Sequence, residues 1–388
     1  FPRIDFGNGP SRATWDANGD PREFVDPDDR YDFGPINYLH LPLERISAGA
    51  LLNYDLTDTT ELYAELMYAN NKAVSSLAPA GTFGAFVQIN TDNPVLTPAN
   101  QQLLADNGIP LGPNLVGIGL SRRLLELGPR IIEADKDYTR LLAGLRGELG
   151  GSWEYDAWVS YTRGEEKTLQ RNDASFSRVQ QGLLVDPLTG NCIDPSNGCV
   201  PLNLFGEDNL SQAGVDFISV APYVSTIERE QKLISAFVRG TLFSLPAGDV
   251  AAAIGAEWRE DSGDLIADEA LFSGDTLGYR AFSNVVGKES VSEIYAEVLV
   301  PVLSDVPLVR YLGVEFGGRL SSYDNAGELE TWKLGLDWEP IEGVRFRTMA
   351  QRSARAPNLG EAFLLPYDEE GTAVFSDPRE DPCSASAD

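Results

Sequence analysis

The sequence predicts an all-β fold, an antiparallel up-and-down transmembrane β-barrel of about ten strands, and three observations carry that prediction. Apolar and polar residues alternate with a period of two through much of the chain. The connections between the alternating stretches switch between very short and very long. No apolar run reaches the roughly 18 residues that a membrane-spanning helix requires.

Successive side chains on a strand point to opposite sides, so each alternating stretch reads as one apolar and one polar face. Residues 46–56 form the first. Next, Leu62, Ala64, Leu66 and Tyr68 alternate with Glu61, Tyr63, Glu65 and Met67. Leu141, Ala143 and Leu145 alternate with Arg140, Gly144 and Arg146, and the row from Trp153 to Tyr161 alternates with Glu154, Asp156, Trp158, Ser160 and Thr162. Ile234, Ala236, Val238 and Leu242 oppose Ser235, Phe237, Arg239 and Thr241, and Ile254, Ala256 and Trp258 oppose Gly255, Glu257 and Arg259. Ile294, Ala296 and Val298 oppose Glu293, Tyr295 and Glu297, while Phe316 and Leu320 oppose Glu315 and Arg319. Trp332, Leu334, Leu336 and Trp338 oppose Lys333, Gly335, Asp337 and Glu339, and Phe346 and Ala350 oppose Arg345, Arg347 and Gln351. Aromatics at both ends of a leucine row are what a lipid-facing strand between two interfacial girdles needs.

A soluble sandwich alternates too, so the connections decide. Short links fall at 57–60, 150–152, 244–249, 303–308 and 340–343; long ones fall at 71–137, 164–227 and 261–288, with a short one at 324–329. Gly150-Gly151 suits a primed hairpin turn, and Leu245-Pro246-Ala247-Gly248 a type I turn. Short turns on one rim and long loops on the other is the outer-membrane arrangement, and compact soluble domains rarely carry connections this long. Two loop stretches read as helices: 99–106, with Thr97 as cap and Pro98 at the first position, and more weakly 209–218.

The formal charge of −29, from 59 acidic and 30 basic residues, excludes a phosphate-binding surface and so a nucleic-acid partner. It suits long acidic loops around an apolar body. Cys192 and Cys199 lie in the turn-rich Asn-Cys-Ile-Asp-Pro-Ser-Asn-Gly-Cys, where a short disulfide loop closes easily in an exported protein. A zinc site is the alternative, weakened by a single histidine, His40, and by the lack of a Cys-x-x-Cys pair. Cys383 is left over.

Catalytic chemistry is thinly represented, and no enzyme or cofactor is expected. His40 has no partner histidine, and Gly117-Ile-Gly-Leu-Ser lacks the third glycine of a dinucleotide fingerprint. Asp16-Ala-Asn-Gly-Asp20 starts like a calcium loop, but Pro27 stands where the closing Glu belongs. Glu61/Glu65 and Glu293/Glu297 share a strand face about 13 Å apart, too far for an acid–base pair within one strand. Charges facing a lumen explain them better. Residue 1 is Phe rather than Met, no apolar signal-peptide core follows it, and Cys383–Asp388 reads as loop, so the chain is expected to be a piece of a longer protein.

Several stretches, in order and spacing, resemble the TonB-dependent outer-membrane receptors. The segment from Leu242 to Arg259 looks like that family's hairpin ending in Gly-Ala-Glu-x-Arg, and Tyr295–Pro301 and Thr331–Trp338 are similar to its next strands. Arg355, Pro357 and Glu361 match its Arg-x-Pro-x-x-x-Glu stretch, and Cys192 with Cys199-Val-Pro-Leu-Asn-Leu-Phe-Gly206 resembles a disulfide loop of one branch. The resemblance covers residues 30–388. The family's plug domain, energy-coupling box and terminal aromatic strand are not in this sequence, and family barrels have roughly 22 strands. The resemblance therefore implies a partial barrel over 46–353, with an extracellular loop and strand approach at 1–45 and the start of another extracellular loop at 354–388. It implies uptake of a scarce nutrient across the outer membrane of a Gram-negative bacterium, with the TonB complex acting through the plug, and outer-membrane lipid as a further partner. A passive porin or an adhesin is the alternative. Phe83, Phe86, Phe205, Phe217, Tyr223, Tyr279 and Phe282 lie in the long connections. They suit stacking on sugars or siderophore rings, and equally suit ordinary loop packing.

Overall fold

The computed structural model describes residues 3–5, 12–16, 20–83, 85–206, 208–279 and 284–363. Cys383 and Phe282 lie outside them, as does the middle of the 16–20 stretch. Fifteen strands follow in chain order: β1 (Arg3–Asp5), β2 (Arg12–Trp15), β3 (Pro21–Glu23), β4 (Leu43–Thr57), β5 (Thr60–Leu77), β6 (Ala85–Asn90), β7 (Leu115–Ser121), β8 (Arg130–Gly150), β9 (Trp153–Arg171), β10 (Tyr223–Leu245), β11 (Gly248–Ile266), β12 (Val285–Val306), β13 (Val309–Tyr323), β14 (Gly327–Ile341) and β15 (Val344–Arg352). Five helices lie between them or after the last: α1 (Pro98–Asp106), α2 (Phe176–Gly182), α3 (Gln212–Ile218), α4 (Glu269–Phe272) and α5 (Leu359–Phe363). None is long and apolar enough to cross a membrane.

Ten strands form one antiparallel sheet in the order β4-β5-β8-β9-β10-β11-β12-β13-β14-β15. Tight turns make hairpins of β4–β5, β8–β9, β10–β11, β12–β13, β13–β14 and β14–β15, while long connections join β5 to β8, β9 to β10 and β11 to β12. Gly151 takes φ 66°, as the first central position of a primed turn requires. The sheet is open among the described residues, with β4 and β15 as its edges.

The sheet wears its apolar side outward. Ile234, Ile254, Ile294, Phe316, Trp332 and Leu334 are 44–59% exposed. On the opposite face Ser235, Glu293 and Ser321 are 6–7% exposed, and a sheet curved toward its polar face crowds side chains in this way. The apolar rows from Trp153 to Tyr161 and from Ile234 to Leu242 run for nine residues, the length of a tilted membrane strand. Tyr68 and Tyr161 mark one end of the band, each donating its hydroxyl at 2.8 Å, to Asp137 and Glu230. Trp338 stacks on Phe346 at the other, with ring centroids 5.5 Å apart.

Beyond the tyrosines the same face turns charged, with Arg163 on Glu228 at 3.1 Å, and Lys232 and Lys288 both on Glu260 at 3.0 and 2.6 Å. These pairs let the strands run past the apolar band. The longest, β10, has 23 residues, and the long connections are correspondingly shorter than the sequence pattern suggests. Charge on both faces hides the alternation there.

The conventional hydrophobic core lies in the long connections instead. A second sheet, ordered β3-β2-β1-β7-β6, packs with α1, α2 and α3 around Trp15, Ile89, Leu104, Ile118, Leu183, Leu204 and Ile218. The indole of Trp15 donates to Asn100 Oδ1 at 2.7 Å inside it. Thr97 and Ser211 cap α1 and α3 by accepting from the backbone NH groups of Asn100 and Gly214. Five short strands thus occupy residues expected to be loop, β1 to β3 within 1–45 and β6 and β7 within 71–137.

Candidate functional site

The polar face is laced with ion pairs between neighbouring strands. Arg146 meets Glu61 at 2.9 Å, Arg140 meets Glu65 at 3.6 Å, Arg239 meets Glu154 at 2.6 Å and Arg319 meets Glu293 at 3.1 Å. Lys333 bridges Glu297 and Glu315. Partly exposed pairs of this kind are each worth about 0–1 kcal/mol, so they organise the face more than they stabilise it. The carboxylate pairs Glu61/Glu65 and Glu293/Glu297 each face cations here.

After β15 the chain doubles back over this face. Arg355 donates to both oxygens of Glu361 at 2.8 and 2.9 Å. Glu361 also accepts from the NH of Asn358, whose side chain accepts from the NH of Glu361, a reciprocal cap on α5. The Arg355 guanidinium, with the Asn358 NH, holds the Glu361 carboxyl down at about 2. Pro357, just before the cap, stiffens the approach. The helix α5 reaches β11 and β12, where Leu359 sits 3.2 Å from the space a Cβ would take at Gly263. A Cβ at Gly287 would collide with the ring of Phe363. Gly263 and Gly287 are register partners, so together they form one notch that accepts the helix. Between this strap, 353–363, and strands β8 to β13 lies a cavity of about 1260 Å³, with Tyr138, Trp158, Arg229 and Pro357 in its wall.

The loop aromatics part company. Phe86 is 76% exposed and Phe83 52%, with the Arg123 guanidinium 4.5 Å over the Phe83 ring. Phe205 and Phe217 are buried in the core of the connections, Phe205 against Trp15 at 5.9 Å. Tyr223 is buried and donates to Asp173 Oδ2 at 2.8 Å. Tyr279 packs edge-on against Tyr223, beneath Arg130. Asp173 also accepts from the NH of Gly278 at 2.7 Å, so it ties two long connections to the start of β10. Cys192 and Cys199 form a disulfide in the described loop. His40 is exposed and lies apart from all of this.

Sequence reasoning singled out Arg355, Pro357 and Glu361 but did not reach Leu359, Phe363, Gly263 and Gly287. Their partners lie far off in the chain, and a glycine inside a strand is the one local sign of close approach. Asp173 likewise carries no local signature.

A family model described as TonB dependent receptor-like, beta-barrel matches residues 83–378. No curated protein matches the chain. Among solved structures, one described as the structure of the RagAB peptide transporter is similar with a TM-score of 0.38 and 11% identity, over 76% of this chain and 30% of that one. The present chain therefore spans less than a third of that protein's length.

Proposed function

The chain belongs to the TonB dependent receptor-like β-barrel family, and on that premise we propose that it forms part of the barrel wall of an outer-membrane transporter. The transporter takes up a scarce nutrient, a siderophore, an oligosaccharide or a similar molecule, in a Gram-negative bacterium. In this reading the long connections face outside and first meet the ligand. A plug domain fills the lumen against the polar face, and the TonB complex delivers energy through it.

One observation supports this above all: apolar side chains are exposed on the ten-stranded sheet and buried in its long connections. A soluble protein inverted in this way would aggregate, whereas lipid on the outer face and a hydrated lumen on the other satisfy both. Members of this family are transporters, and the exposed Phe83 and Phe86 suit capture of a ring-bearing ligand. The test is uptake by a strain lacking the full-length gene, offered candidate iron chelates and oligosaccharides as sole sources. Growth on at least one should require both the gene and TonB. Gene-dependent uptake that persists without TonB would instead favour a passive porin, and wild-type growth of the deletion strain on every candidate would favour an adhesin.

A further inference from the structure

We propose that the polar face beside the strap carries a slot for an aromatic carboxylate, with Gly164 as its floor and Arg229 as the cation that takes the carboxylate. This rests on the transporter reading and deepens it by naming a ligand class.

Tyr138, Gly164, Arg229, Gly263 and Gly287 stand side by side across β8, β9, β10, β11 and β12. Three glycines in that row cut a trench across the polar face. Leu359 and Phe363 fill its far half, at Gly263 and Gly287. The near half is open: a Cβ at Gly164 would meet only the Asp137 carbonyl, at 3.8 Å. That is unusual for this face. Tyr63 lies over its register partner Gly144, and Tyr295 over its partner Gly255, so closely that a Cβ would collide with either ring. Tyr138 has the same relation to Gly164 but leaves it uncovered and is itself 39% exposed.

Arg229 sets the charge. Around it Arg140 is paired with Glu65, Arg259 with Asp261 and Arg355 with Glu361. The nearby carboxylates are occupied too, Asp261 by Arg259 and Gln231, and Glu289 by Asn325. Arg229, exposed and flanked by glycines, has no carboxylate partner among the described residues. A guanidinium engages a carboxylate through two parallel N–H bonds, and a glycine floor beside a tyrosine admits a flat ring. A neutral sugar would leave the charge of Arg229 unanswered. The surrounding cavity has room for a ligand of which this ring is only one part.

The test uses the full-length receptor purified in detergent and the fluorescent probe 2-aminobenzoate. Saturable binding is expected, weakened about tenfold or more by Arg229→Gln and partly retained in Arg229→Lys. Gly164→Val, which adds branches to an open floor and suits a strand, should block binding to a similar degree. Aniline, the same ring without the carboxylate, should bind about tenfold more weakly. Gly117→Ala, in open space on β7, should change nothing and reports general effects of substitution. Circular dichroism confirms that each variant is folded. No saturable binding to the parent, equal binding by Arg229→Gln and Gly164→Val, or equal affinity for aniline would overturn the slot. TonB-dependent uptake without 2-aminobenzoate binding sinks the slot alone; binding that depends on Arg229 without any uptake sinks the transporter reading alone.

Discussion

Gly263 and Gly287 face each other across β11 and β12, and the notch they leave receives Leu359 and Phe363 from a helix that follows the far edge strand. A Cβ at Gly287 must push Phe363 out. We expect Gly287→Ala to loosen the strap and to speed trypsin cleavage after Arg352 and Arg355 in the full-length protein. Arg355→Ala, which removes the clasp on Glu361 together with one of the two cleavage sites, should speed cleavage after Arg352. Unchanged cleavage in both would mean that the strap is held elsewhere.

The inverted distribution of apolar residues gives opposite mutational costs in the two parts of the molecule. Leu204→Ala, in the packed connections, should cost about 2–5 kcal/mol. Leu334→Ala, on the exposed row, leaves no packed cavity and should cost far less, whereas Leu334→Arg should cost about 2–4 kcal/mol in a bilayer. Urea unfolding in liposomes measures all three, and a Leu334→Arg cost near zero would speak against lipid contact.

The Cys192–Cys199 bond closes a short loop beside α2. Replacing both cysteines with serine should destabilise the connections by about 2–3 kcal/mol while leaving the sheet intact. Amide exchange should rise around 183–204 and stay unchanged in β8 to β14. Equal loosening of the sheet would contradict this separation.

Asp29 accepts from both Nη atoms of Arg22, at 2.7 and 2.5 Å, and that pairing holds its carboxyl down to about 2. A folded-state value below the unfolded one means that the pairing stabilises fully above the ordinary carboxylate range, near 3.8. The stabilisation is lost as pH falls from there through about 2. Residues 22–30 should therefore open in that window, and in Asp29→Asn they should show no such acid step. Exchange measured across the titration checks it.

The sequence made the ten-stranded sheet legible because alternation is local: Trp332, Leu334 and Leu336 declare their face without knowing their neighbours. It made α1 legible through Thr97 and Pro98. It could not reveal the outer ends of the strands, where Arg163 and Glu228 put charge on what had been the apolar side. The strap escaped too, because Phe363 meets Gly287 only after the whole sheet is built. Phe205 and Phe217 look like Phe83 and Phe86 in sequence, and only packing around Trp15 separates the buried pair from the exposed one.

The central claim is that the apolar face of the sheet meets lipid and the polar face meets water. Single cysteines at Leu334 and Lys333 in the full-length protein, labelled with a fluorophore in proteoliposomes, test it most directly. Quenching by lipids carrying brominated chains should be strong at 334 and weak at 333, and iodide in the water should show the reverse. Iodide quenching at 334 with bromolipid quenching at 333, or protection of both sites from both quenchers, would contradict the account.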